Sequence, residues 1–182
     1  MRRRVELTAP VRRALGAAAV FTTVAVAGAC SSEALATGSP LLNAYASPEA
    51  LAEAAIDAVE AQDDSTLAGL MIQRVEYEGL LWPEMPDGEY TPFDFIWSQT
   101  LPPSRSARRS ILEKYEGIDL ELVSVDLGGE DTIERYPSFT LYRDARMTVR
   151  RTDTGEEGIL PLMDAVVEMD GGWKYMNYRD DR

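Results

Sequence analysis

Two acids set among apolar neighbours are the strongest candidates for chemistry. Asp94 lies between Phe93 and Phe95, and Asp164 lies inside the apolar run from Leu160 to Val167. Desolvation raises a carboxyl pKa, so either position suits a general acid or base. The competing reading turns Phe93 and Ile96 inward with Asp94 in water, and puts Asp164 on the outer face of a half-exposed strand. Phe95, Trp97, Trp173 and Tyr175 are candidates to line a ligand pocket, although such rings are more often plain core. The rest of the composition is restrictive. The chain of 182 residues has no His and a single Cys, Cys30. No Ser-His-Asp triad, Cys-His pair, histidine metal site or intrachain disulfide can be built from it. No phosphate-cradling glycine loop is present, and the acidic pairs Asp63-Asp64 and Glu130-Asp131 lack the spacing of a calcium loop. Neither a cofactor nor a metal is therefore expected. The formal net charge of −13 also argues against nucleic acid as a partner.

Cys30 has a context of its own. Arg2-Arg3-Arg4 and Arg12-Arg13 precede an uncharged stretch from Ala14 to Ala29, and Cys30 follows directly. A basic start, an apolar core too short to span a bilayer and a small-residue exit make residues 1–29 a secretory signal peptide. Val26-Ala27-Gly28-Ala29-Cys30 resembles the lipobox of bacterial lipoproteins, with Ala27 where Leu is commonest. The resemblance implies cleavage after Ala29 and a diacylglyceryl group on the Cys30 thiol. Two or three acyl chains anchor a domain stably where one does not. An ordinary signal peptide followed by an incidental thiol, and an uncleaved anchor, are the competing readings. Without residues 1–29 the chain keeps 13 basic and 30 acidic side chains, net −17. Anionic headgroups repel such a surface. The expectation is an exported domain on the cell membrane or outer membrane, held off by a tether and facing the periplasm or exterior.

The remaining sequence divides into a linker and one domain. Residues 30–46 read as the lipidated Cys and a flexible linker, and residues 47–182 as a single domain. Ser47-Pro48-Glu49 is a helix start, followed by Leu51, Ala54, Ala55, Ala58 and Val59 at helical spacing. Asp63-Asp64-Ser65 caps a second helix, and a third is expected over 73–82. Leu101-Pro102-Pro103-Ser104 is expected to break the chain before a helix over 106–115. From Ile118 the pattern changes to strands, with a bulge near Leu122-Val123. One long apolar strand is expected from Ile159 to Met169, interrupted near its start by Pro161. Asp170-Gly171-Gly172 is a hairpin turn, and Trp173 to Tyr178 closes the sheet. Helices followed by a meander give an α+β domain, with N-terminal helices packed on a curved antiparallel sheet of four to five strands.

The opening helices, the late long strands and the Met169-Asp170-Gly171-Gly172-Trp173-Lys174-Tyr175 hairpin resemble the nuclear transport factor 2-like, or SnoaL-like, cone fold. The resemblance covers roughly residues 47–178. It implies a pocket between sheet and helices. Enzymes of that superfamily commonly use an Asp-His pair or a Tyr with an Asp, and without His a Tyr-Asp or paired-carboxylate mechanism remains open. Two functions follow as expectations. The first is a non-catalytic, lipid-anchored envelope domain that binds a partner protein or a small apolar ligand. The second is an envelope enzyme using a carboxylate and a Tyr.

Overall fold

The computed structural model describes residues 35–178. Ala29, Cys30 and the leader lie outside the described residues. Within them the chain is α+β, with four α-helices and two antiparallel sheets.

Local chemistry explains the first elements. Helix α1 (Pro48–Glu60) begins where Ser47 Oγ accepts the Ala50 N–H, with Pro48 in the first turn. Its apolar stripe buries Leu51, Ala52, Ala55, Ile56, Ala58 and Val59. Helix α2 (Asp64–Leu70) is capped by Asp63, whose Oδ1 accepts from the N–H groups of Ser65 and Thr66. A short helix α3 (Arg74–Glu76) runs on as a π-helical turn (Tyr77–Leu81) and a 3-10 turn (Trp82–Glu84). Helix α4 (Phe93–Lys114) follows.

The strands are β1 (Leu120–Asp126), β2 (Ile133–Arg135), β3 (Thr140–Tyr142), β4 (Arg146–Arg151), β5 (Glu157–Leu160), β6 (Ala165–Met169) and β7 (Gly172–Asn177). One sheet has the order β1-β4-β5 and the other β2-β3-β6-β7. The register of β1 against β4 shifts between Leu122 and Ser124, where the change of apolar parity predicts a bulge. Asp170 and Gly171 both have positive φ, 49° and 75°, as a two-residue hairpin requires.

Two apolar cores lie against these sheets. The first gathers α1, Leu67, Leu70, Ala107 and Ile111 with Met147, Val149, Leu160, Val166 and Tyr175. The second gathers Leu41, Ala44, Tyr77, Leu81 and Trp82 with Leu141, Ala165, Val167, Met169 and Met176. Consecutive residues of β6 therefore serve different cores, Val166 the first and Val167 the second. This is why β6 reads as an unbroken apolar run rather than an alternation.

Three expectations need correction. Residues 35–46 are not a free linker. Tyr45 bridges Trp173 on β7, Ser39 Oγ donates to the Met169 carbonyl at 2.8 Å, and Leu41 and Ala44 are buried. Gly172 admits this segment, because a Cβ there would lie 2.3 Å from Ser39 Oγ and 2.8 Å from Ala44 Cβ. Sparse apolar residues without periodicity concealed the packing.

Second, α4 passes straight through Pro102 and Pro103. The carbonyls that lose their i+4 donors belong to Ser98 and Gln99, both exposed, so water can serve them. Each half of the helix has its own anchorage. Phe93, Ile96 and Trp97 pack on the second core, while Ala107 and Ile111 are buried in the first. Third, the run from Ile159 to Met169 is two strands in two sheets. Pro161 has no N–H to donate, and the Leu162 N–H closes a tight turn on the Leu160 carbonyl at 2.8 Å. That break, with the short β2, gives seven strands in two sheets in place of four or five in one.

Candidate functional site

The second core is not filled. Between its sheet and the turns that cover it lies a cavity of about 510 Å³. Its apolar wall comes from Tyr77, Trp82, Met85, Ile96, Leu141 and Met176, and its polar wall from Thr100, Glu134, Tyr136, Arg143, Asp164 and Asn177. A recess that sets apolar and aromatic side chains against convergent polar groups is a form that small-molecule sites take.

Each element sets one part of the wall. The π turn carries Tyr77, whose ring meets Trp82 edge-on at 6.0 Å and Phe93 at 5.6 Å. The first half of α4 supplies Ile96 and Thr100. Glu134 on β2 reaches Arg143, which follows β3; Arg143 donates Nε to Glu134 Oε1 and Nη2 to Oε2, the latter at 2.8 Å. Tyr136 donates its hydroxyl to Glu134 Oε2 at 2.8 Å. The Arg143 bonds hold the Glu134 carboxyl below its ordinary pKa, and burial followed by Glu134 pushes the Tyr136 phenol up. Glu134 is thus a clamped carboxylate, and Tyr136 a phenol committed as its donor. Neither is set up to move a proton.

Asp164 stands just before β6 and joins the wall half-buried, with Asn177 Nδ2 at 3.5 Å from its Oδ2. With Nδ2 turned to Asp164, Asn177 Oδ1 is buried with no hydrogen-bond donor among the described residues. Such an atom is costly unless something reaches it.

The other residues singled out by sequence fall elsewhere. The Asp94 side chain is 79% exposed and pairs with Arg74, whose guanidinium also lies 5.4 Å from the Phe93 ring centre. Phe95 is exposed. Trp97 stacks on Phe93 at 6.0 Å in the second core, outside the cavity lining. Trp173 stacks on Tyr142 at 5.3 Å. Tyr175 is fully buried in the first core, its hydroxyl without a partner. Of the residues chosen from sequence, the structure brings only Asp164 to the cavity. Glu134, Tyr136, Arg143 and Asn177 escaped notice. The alternation of Glu134, Tyr136 and the later Arg143 around a turn was the signal available.

A second charge pair, this one fully buried, lies on the same sheet. Lys174 Nζ donates to Glu76 Oε2 at 3.0 Å and to the Leu42 carbonyl at 2.9 Å. Glu76 Oε1 accepts the Leu42 N–H and Oε2 the Gln73 N–H, each at 2.5 Å. Burial lowers the Lys174 pKa, and the Glu76 carboxylate opposes that shift.

Among the described residues no three His, Cys, Asp or Glu side chains are grouped to hold a metal, and no helix is long and apolar enough to cross a membrane. The chain matches no protein-family model, no curated protein and no solved structure.

Proposed function

We propose that this is a lipid-anchored protein of the bacterial cell envelope whose folded domain binds a small, largely apolar molecule without transforming it. The observation that carries the binding reading is the cavity of about 510 Å³, open beside the four-stranded sheet. The anchoring reading rests on Cys30, the chain's only cysteine, directly after an uncharged run behind five arginines. An acidic domain on a double or triple acyl anchor stands off the bilayer, where its cavity can meet a diffusing ligand. The cone-fold resemblance agrees with a pocket between helices and sheet.

Enzymatic use of the pocket is the second reading, favoured by one observation: Asp164 and two tyrosines, Tyr77 and Tyr136, share its wall. Binding is the better account, because Tyr136 is engaged by Glu134 and Tyr77 Oη lies 3.5 Å from Met85 Sδ.

Mass spectrometry of protein purified from its own envelope tests the anchor. A chain beginning at diacylglyceryl-Cys30 is expected; a chain still beginning at Met1 with a free thiol contradicts it. Calorimetric titration with 4-phenylbutan-1-ol tests the cavity. Ala165→Phe, which fills the recess, should abolish binding while leaving a cooperative unfolding transition. Unchanged binding in that variant contradicts the assignment.

A further inference from the structure

We infer that Asn177 selects the ligand, by accepting on its Oδ1 a hydrogen bond from an uncharged O–H or N–H group of that molecule. The inference rests on the binding reading above and deepens it by naming the ligand's polar group, a hydroxyl or amide N–H on an apolar body.

Strand geometry places the amide. Successive residues of a strand face opposite sides of the sheet. On β7, Trp173 and Tyr175 pack on the first core and Met176 on the second. Strict alternation returns Asn177 to the first core. The register against β6 prevents this. Tyr175 pairs with Val166 and Asn177 with Ala165, so β7 carries an extra residue, Met176, at this point. Met176 and Asn177 together oppose Ala165, and all three line the cavity. Such a bulge disrupts the ladder locally and re-aims a side chain. Here it sets an amide into a wall that alternation would leave apolar.

Hydrogen-bond supply says what the amide lacks. Other polar groups of the wall serve the protein itself. Tyr136 gives its hydroxyl proton to Glu134, Arg143 gives Nε and Nη2 to Glu134, and Thr100 donates to the Ile96 carbonyl at 3.1 Å. Asn177 Oδ1 is buried with no donor among the described residues. Leaving it so costs the desolvation of a carbonyl oxygen. Its Nδ2 lies 3.5 Å from Asp164 Oδ2, a contact that holds the amide weakly. The terminal amide torsion is broad, so a small turn carries Oδ1 onto a donor in the cavity. Only a donor meets this need; an ether or ester oxygen brings a second acceptor. An uncharged donor also avoids taking an ion out of water to lie beside Trp82, Leu141 and Met176.

Two isomeric probes test this. 4-Phenylbutan-1-ol donates a hydrogen bond, while 3-phenylpropyl methyl ether only accepts one. Both are titrated calorimetrically into the full-chain protein purified in detergent. The alcohol is expected to bind about threefold to tenfold tighter, as one neutral hydrogen bond allows. Asn177→Leu should erase that advantage and keep ether binding, which shows that the variant is folded. Equal binding of the two probes, or tighter binding of the ether, overturns the inference and leaves the cavity reading in place. An alcohol preference untouched by Asn177→Leu also overturns it. Should Asn177→Leu bind neither probe, the Asn177 ¹³Cγ resonance of the unmodified sequence decides: a downfield shift with the alcohol alone supports the inference, and the same shift with both probes overturns it. Binding of neither probe to the unmodified sequence overturns both readings.

Discussion

The four-stranded sheet carries two charged clusters built from similar parts, and they differ in how they are finished. At Glu76 and Lys174 the charges are fully buried, with side chains 2% and 1% exposed. Backbone groups of Leu42 and Gln73 supply the partners that the ion pair lacks. At Glu134, Arg143, Asp164 and Asn177 a cavity stays open, and among the described residues the buried Asn177 Oδ1 is an acceptor left over. The first arrangement closes a structure and the second waits for a molecule. A satisfied buried network fixes one packing, while an unsatisfied one marks a place where something else completes it.

The largest expected effect comes from breaking the closed cluster. Lys174→Met or Glu76→Leu alone leaves an uncompensated buried charge and should cost about 3–5 kcal/mol. The double variant should recover more than half of that, since only the Leu42 and Gln73 backbone groups then lack partners. Urea unfolding of the four proteins closes the cycle. Purely additive losses would contradict the network.

Alkaline pH should act next, through the other side of the sheet. Burial raises the pKa of Tyr175 and of Tyr178 far above 10. The native state then keeps protons that the unfolded state releases above pH 10, so stability falls as pH rises past that point. Each tyrosine contributes a slope of about 1.4 kcal/mol per pH unit. Tyr175→Phe should remove one such slope; a slope left unchanged would show that the ring is not buried.

At neutral pH the same two positions should part company. Tyr178 Oη donates to the Leu67 carbonyl at 2.6 Å, so Tyr178→Phe should cost about 1 kcal/mol. The Tyr175 hydroxyl has no partner, so Tyr175→Phe should be neutral or stabilising by about 1 kcal/mol. Thermal midpoints of opposite sign would confirm the contrast.

Acid should touch the open cluster only lightly. Glu134 is held below its ordinary value of 4.5, chiefly by the Arg143 hydrogen bond. Its stabilisation is therefore complete above pH 4.5 and is lost as pH falls through the lowered native value. The pair is half-exposed, so Glu134→Gln should flatten that acid limb by less than about 1 kcal/mol. A larger loss would mean that the open cluster is structural after all.

Sequence and structure agree where one local rule suffices. The Ser47 cap, the bulge between Leu122 and Ser124 and the Asp170-Gly171 turn follow from neighbouring residues alone. The α+β class, with helices on an antiparallel sheet, follows from their order. Agreement fails where distant packing decides. Pro102 and Pro103 stay in a helix because its two halves are gripped by different cores. Pro161 divides a single apolar run between two sheets, and residues 35–46 are held by β7 without any period of their own. The site suffers most. Strands β2 and β3 have three residues each, too few to show a period, and Glu134 meets Arg143 only once they pair. Asp164 was legible as an acid in an apolar run; its partner Asn177 was not, because an Asn before a chain's last Tyr carries no local signal.

The central claim is that the cavity, and not the aromatic surface elsewhere, is where a ligand sits. Amide and methyl NMR shifts recorded while 4-phenylbutan-1-ol is added test it most directly. Perturbations gathered on Tyr77, Trp82, Leu141, Asp164, Met176 and Asn177 are predicted. Perturbations centred on Phe95 or Trp173, with the cavity residues still, would contradict the claim.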